Sequence, residues 1–229
     1  MGTLSKVLSA LVLLTLAGLA GVRFGLVTER HSPFSPLSLE EADQWFVGLK
    51  LDALHENPEL CRSVLTPRVI DATPVPDRPL RNACGWSNGF AFSEVGSTRI
   101  DVRPLTCEMS AATALWIIDV VQPSARETFG VGVTRIHHLG TYSCRNIEGS
   151  NRRSQHAKAN AIDISGFTLR DGRTISILKD WSGDHAKAAF LQSVYHGAGP
   201  YFRVTLGPDY DAAHADHFHF DRSRFWRWS

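Results

Sequence analysis

The sequence lacks a dominant charge. Its 229 residues set 24 lysines and arginines against 23 aspartates and glutamates, so no strong field argues for nucleic acid. The aromatic tail Phe225-Trp226-Arg227-Trp228 carries a single arginine and makes a poor footprint for stacking. No CxxC pair occurs among the four cysteines, which argues against a cysteine zinc site or a thioredoxin-like dithiol. No HExxH occurs, which excludes the helical zincin arrangement. Regular strand–helix–strand alternation is missing too, and the length suits one well-buried core better than two full domains.

One long apolar run is present. Lys6 precedes an uncharged stretch from Val7 to Val22, and Arg23 closes it. Sixteen residues are marginal for a membrane helix and also fit the centre of a signal peptide. Residues 1–23 therefore read as a signal peptide or an N-terminal membrane anchor, with the basic flank on the cytoplasmic side. Residues 24–37 read as a linker holding Pro33 and Pro36, and residues 38–229 as the folded part. Export to the periplasm or cell envelope, with anchoring in the inner membrane as one form of it, places Cys61, Cys84, Cys107 and Cys144 where disulfides persist. Two bridges are expected, with three pairings open.

Along the chain, Ser38 and Glu41 form a capping box. Leu39, Ala42, Trp45, Phe46, Leu49 and Ala53 recur at helical spacing, which predicts a helix over 39–56. Five prolines between Pro58 and Pro79 predict a loop. Short strands are expected at 90–95 (an edge) and 99–102, then a helix from Cys107 to Val121 that Pro123 disturbs before it resumes through Phe129. Further strands are expected at 131–138, 161–165, 174–178, 202–206 and 217–221, with a helix over 186–195 and a turn at Asp171-Gly172. This pattern is α+β, a small mixed or antiparallel sheet with flanking helices.

Chemistry concentrates in two stretches, SQHAKANAIDISGF (154–167) and HADHFHFD (214–221). A zinc site that acts on a substrate needs three protein ligands and an open position. Asp163 sits on the polar side of an alternating strand, His156 lies in the loop before it, and His217 and His219 share one strand face. The set His156, Asp163 and one of those two histidines can be drawn. No GxSxG frame surrounds Ser154, which leaves it the task of ordering the ligand loop. His137 and His138 read as a sheet edge, His185 and His196 as surface.

The run SQHAKANAID resembles the SxHxxGxAxD zinc pattern of M15-type D-Ala-D-Ala carboxypeptidases and related LAS murein endopeptidases. More closely, residues from about Cys84 to Asp221 resemble the extensin-like C-terminal domain family. The matching blocks are Cys84-Gly85, the Cys107 helix with Trp116, Tyr142-Ser-Cys144-Arg145, 154–167, Leu206-Gly-Pro208-Asp-Tyr210 and the histidine cluster. The resemblance implies the D-Ala-D-Ala peptidase-like zinc fold, with one Zn2+ on His156, Asp163 and His219. It implies His217 beside the metal as a hydrogen-bonding partner, within a His214-x-x-His217-x-His219 spacing like that of the murein endopeptidases. Asp216 falls where the carboxypeptidases carry a Glu as general base, whereas strand alternation would turn Asp216 away from the metal and favours His217 as the base; Arg145 would steady the carbonyl or oxyanion. Two departures stand out. Asn160 replaces a glycine, and two further cysteines usual in the extensin-like branch, near Gly197–Pro200 and the C-terminus, are missing. Ser-Pro repeats and tyrosine-rich stretches are also absent, so the plant-derived name implies no function.

Two readings follow. One is a zinc-dependent hydrolase of peptidoglycan or other cell-wall peptide. The other is a wall-binding or structural module that keeps the fold without turnover, and the replacement of the usual Glu by Asp216 keeps that alternative open.

Overall fold

The computed structural model describes residues 2–26, 28–65, 68–183 and 185–224. The aromatic tail 225–228 lies outside the described residues. The chain opens with α1 (Thr3–Arg23), which is long and apolar enough to cross a membrane, and its span is not buried against the rest of the protein. Then come α2 (Val47–Glu56), α3 (Pro58–Val64), β1 (Thr73–Val75), β2 (Arg78–Arg81), β3 (Cys84–Trp86), β4 (Gly89–Val95) and β5 (Thr98–Thr106). A helical rod follows, α4 (Cys107–Trp116) and α5 (Gln122–Phe129), joined by a π-type turn at Ile117–Val121. The second half holds β6 (Val133–Gly140), β7 (Ala161–Leu169), β8 (Thr174–Ser176), α6 (Ile177–Asp180), α7 (His185–His196), β9 (Val204–Leu206) and β10 (Phe218–Asp221).

The main sheet runs β1-β4-β5-β6-β7-β10-β9, with β8 also paired to β7. Every pairing is antiparallel except β5 with β6. This mixed α+β architecture, a mostly antiparallel sheet with flanking helices, agrees with the sequence pattern. Its core lies between the sheet and the rod. All ten residues of α4 are buried, and Trp116 meets Phe167, Phe202 and Phe220 at ring-centroid distances of 6.3, 6.3 and 5.2 Å. Its indole N–H donates to the Val194 carbonyl at 2.9 Å, so the largest core side chain leaves no polar group unpaired. The π-type turn comes just before Pro123, where a missing N–H interrupts the regular ladder.

Several expectations fail. The helix over 39–56 begins only at Val47. The Ser38 hydroxyl accepts from Glu40 N–H at 3.2 Å, and Ser38 N–H donates to Gln44, so the capping residues close a local turn instead. The stretch 58–79 is not a loop. Pro58 sits at the start of α3, which Asn57 caps by accepting from Leu60 N–H at 3.0 Å, and β1 and the start of β2 follow. The strand at 90–95 is interior, because β1 covers its outer side. Residues 177–178 open α6 rather than extending β8. His137 and His138 lie on β6, inside the sheet rather than at its edge.

The pairings left open by the sequence are Cys61–Cys107 and Cys84–Cys144. The first ties α3 to the rod; the second ties the β2–β3 hairpin to the segment before Arg145. Loops of 46 and 60 residues place each bridge at about 4 kcal/mol in the chain-entropy account. Two disulfides and an N-terminal apolar helix together suggest an exported protein.

Candidate metal centre

The sheet register builds the centre. His219 on β10 pairs directly with Asp163 on β7, while Phe218 opposes Ile164 and Phe220 opposes Ile162. Alternation therefore sends four apolar side chains into the core and the two polar ones to the opposite face. His156 comes from a 3-10 turn at Gln155–Lys158, whose cap is Ser154: its hydroxyl accepts from His156 N–H at 3.3 Å. The turn ends on Ala159 in the left-handed region (φ 52°). Counted from His156 and Asp163, the glycine of SxHxxGxAxD falls on this Ala159; Asn160, read as its replacement, does not take that conformation. Its amide instead donates to Gln155 Oε1 at 2.9 Å.

His156, Asp163 and His219 are all buried, and their donor atoms lie within 4.8 Å of one another. Asp163 Oδ1 stands 3.0 Å from His156 Nε2 and 2.8 Å from His219 Nδ1, and the two ring nitrogens are 3.1 Å apart. The far side of each ring fixes its tautomer. His156 Nδ1 faces the Thr141 carbonyl at 3.2 Å, and His219 Nε2 faces Asp221 Oδ2 at 3.1 Å. Both partners only accept, so both outer nitrogens carry the protons. The inner nitrogens are then lone pairs aimed at each other and at a carboxylate oxygen.

Three converging acceptors need a positive charge between them. A proton supplies one: burial alone would lower the pKa of His219, but hydrogen bonds to Asp163 and Asp221 outweigh it and push it up to about 9. Burial alone would raise the Asp163 carboxyl. Hydrogen bonds and charge from His156 and His219, once their inner nitrogens carry a proton, outweigh that and hold it well below the usual carboxylate range. A divalent cation supplies the charge equally well. Two histidines and one carboxylate, each histidine backed on its outer nitrogen by an acceptor, make a donor set that fits zinc.

The other named residues surround this triad. His217 Nε2 lies 3.7 Å from Asp163 Oδ1, and His217 Nδ1 donates to Asp216 Oδ1 at 2.7 Å. Asp216 thus stands behind His217, half-exposed, rather than facing the triad itself. His214 is held by Asp211 at 2.6 Å, and its ring lies 5.1 Å from His217 and 6.0 Å from His219. Arg145 reaches from the open side, with its guanidinium 3.9 Å from Asp163 Oδ2. A groove of about 400 Å³ opens alongside. His137, Ser165, Gly166, Thr174, Ser176 and Asp216 line it, but the triad does not. Ser165 is two residues from Asp163, so the groove continues the same face of β7.

Several contributors escaped the sequence. Thr141 offers only a backbone carbonyl, which no side-chain pattern reveals. Asp221 was legible in principle, since His219-x-Asp221 on a strand puts both on one face. Near Arg145, the Arg78 guanidinium lies 5.7 Å from the Trp86 ring and 5.2 Å from the Tyr142 ring, and the Tyr142 hydroxyl is buried without a protein partner among the described residues. Gly85-Trp-Ser-Asn-Gly89 matches the GxSxG string of serine hydrolases. It occupies the turn between β3 and β4, where a nucleophile elbow needs a strand followed by a helix.

Residues 59–229 match the family described as extensin-like protein C-terminus, and the chain belongs to that family. The match is wider than the blocks seen in the sequence and takes in α3 and both disulfides. No curated protein and no solved structure matches the chain.

Proposed function

We propose that this exported protein is a zinc-dependent hydrolase of amide bonds in cell-wall peptide, related to the M15-type carboxypeptidases and LAS murein endopeptidases. The observation that carries the reading is the convergence of His156 Nε2, Asp163 Oδ1 and His219 Nδ1 with the His217–Asp216 pair at its open side. Zinc, when bound, would polarise the scissile carbonyl and acidify water.

The chain's own residues account for the remaining chemistry. His217 Nε2 takes the proton of the attacking water as its oxygen bonds to the carbonyl carbon. Asp216 accepts from Nδ1, holds the ring in place and favours its protonated form. This order, His217 as base and Asp216 as orienting group, is supported better by the geometry than Asp216 acting directly, as the family position implies. Arg145 faces the developing oxyanion. His217 then returns its proton to the departing amine nitrogen as the carbon–nitrogen bond breaks. The groove beside Asp216 would receive one arm of the peptide. A wall-binding module without turnover would keep the metal and lose only the hydrolysis.

The test joins metal analysis to digestion of purified cell-wall peptides. About one zinc per chain is expected, lost in His156→Ala and Asp163→Ala. Hydrolysis should fall about 100-fold or more in His217→Ala, which keeps its metal. Absence of bound metal sinks the proposal; metal without hydrolysis favours the binding module.

A further inference from the structure

The periodic apolar stripe of residues 39–53 faces outward. Leu39 is buried, but Ala42, Trp45, Phe46, Leu49 and Ala53 are all exposed, with Trp45 at 58 %, Phe46 at 47 % and Leu49 at 61 %. The face of α2 turned to the core carries Lys50, Leu51 and Leu54 instead. Adjacent soluble-protein surfaces rarely gather this much aromatic and aliphatic area without a partner.

The patch is held in place. Trp45 N–H donates to the Arg30 carbonyl at 2.8 Å, and its ring lies 4.6 Å from His31 and 6.4 Å from Phe46. Phe46 sits in the left-handed region at φ 60°, a conformation unfavourable for a side chain of this size, and from there begins α2 with its ring outward. Leu49 follows in the first turn of α2 and is exposed as well.

The tether identifies what lies opposite. Arg30 is seven residues beyond Arg23, the last residue of α1. At most about 3.5 Å per residue, the patch stays within roughly 25 Å of the end of that helix. Exposed Phe24 and Leu26 occupy the tether, and exposed Phe34 follows it. The 21 residues of α1 rise about 31 Å, the thickness of a bilayer core. A retained α1 thus holds a rigid cluster of Trp, Phe and Leu within reach of the headgroup level, where tryptophan is favoured. The flanking Arg30, Glu40, Glu41 and Asp43 are mixed in sign, so the contact needs no anionic lipid.

We propose that Trp45, Phe46 and Leu49 seat in the bilayer interface beside a membrane-retained α1, making a second contact that sets how the body stands on the membrane. The full chain in phosphatidylcholine vesicles tests this with bromine-labelled lipids and aqueous iodide. The Trp45 signal is taken as the difference between wild type and Trp45→Phe. Bromines near the headgroup should quench it at least twice as strongly as bromines near the bilayer centre, iodide should not, and Phe46→Asp with Leu49→Asp should at least halve the lipid quenching. Iodide quenching without bromine quenching leaves Trp45 in water and overturns the proposal. Shielding from both shows protein covering it and also overturns it, as does release of the chain by alkaline carbonate. None of these residues touches the metal centre, so hydrolysis is tested separately.

Discussion

Asp221 and Arg222 are chain neighbours at the end of β10, yet they serve two buried ionic clusters of opposite design. Arg222 is 2 % exposed and brings its own cation. Its guanidinium bonds Glu108, the Tyr201 carbonyl and, at 2.6 Å, Asp52, while His55 approaches Glu108 at 3.0 Å. Asp221 backs His219 in a cluster whose inner atoms are all acceptors. The first cluster is satisfied by side chains and fixes α2, α4 and β10 together. The second is complete only with a proton or metal added, so satisfied burial fits a structural role and unsatisfied convergence makes a candidate site.

The comparison breaks first at Arg222. Arg222→Met should cost about 3–5 kcal/mol, because the buried Glu108 loses its guanidinium and keeps only His55, while Asp52 keeps Arg203. Denaturant midpoints would measure it, and pairing the change with Glu108→Leu should recover much of the loss. A single change that costs under about 1 kcal/mol would remove the distinction.

The metal-free second cluster should instead respond to pH. His219 has its folded pKa raised to about 9, above its unfolded value. Its contribution is therefore full below about pH 6.5 and is lost as pH rises through 9, up to about 3 kcal/mol in all. Asp163 shows the same contact from the acid side: its folded pKa is depressed, so stability present above about pH 4 is lost as pH falls. Thermal unfolding of metal-free protein from about pH 2 to about pH 10 should show both slopes. His219→Gln should flatten the alkaline one.

The smallest expected effect lies at Asp221. Asp221→Asn retains the strand and the ligands but weakens the acceptor that orients His219. Zinc affinity should fall about 10–100-fold, and the alkaline slope of the metal-free protein should flatten in part, because Asp221 helps hold the His219 pKa up. Competition with a chelating dye reads the affinity. An unchanged value would make Asp221 part of the scaffold alone.

What the sequence revealed was local. The rod from Cys107 to Phe129 was legible because Met109, Ala112, Leu115, Trp116, Ile118 and Val121 recur at helical spacing, and its one breaker, Pro123, is absorbed by the π-type turn. The aim of Asp163 was legible from Ile162 and Ile164, since strand period fixes sides. The helix over 39–56 was misread because a stripe reveals periodicity without saying which way it faces, and because the hydroxyl of Ser38 had a closer partner than a helix start.

Residue types and spacing alone determined that His156, Asp163 and one of His217 and His219 could meet, that four cysteines would pair, and that the N-terminus is apolar enough for a membrane. Tertiary structure decided the rest. It paired Cys61 with Cys107, set His219 opposite Asp163 by antiparallel register, put Asp216 behind His217, and turned the Trp45 stripe outward. Each of these depends on contacts between residues distant in the chain, and local pattern carries no information about which distant segment will supply the partner.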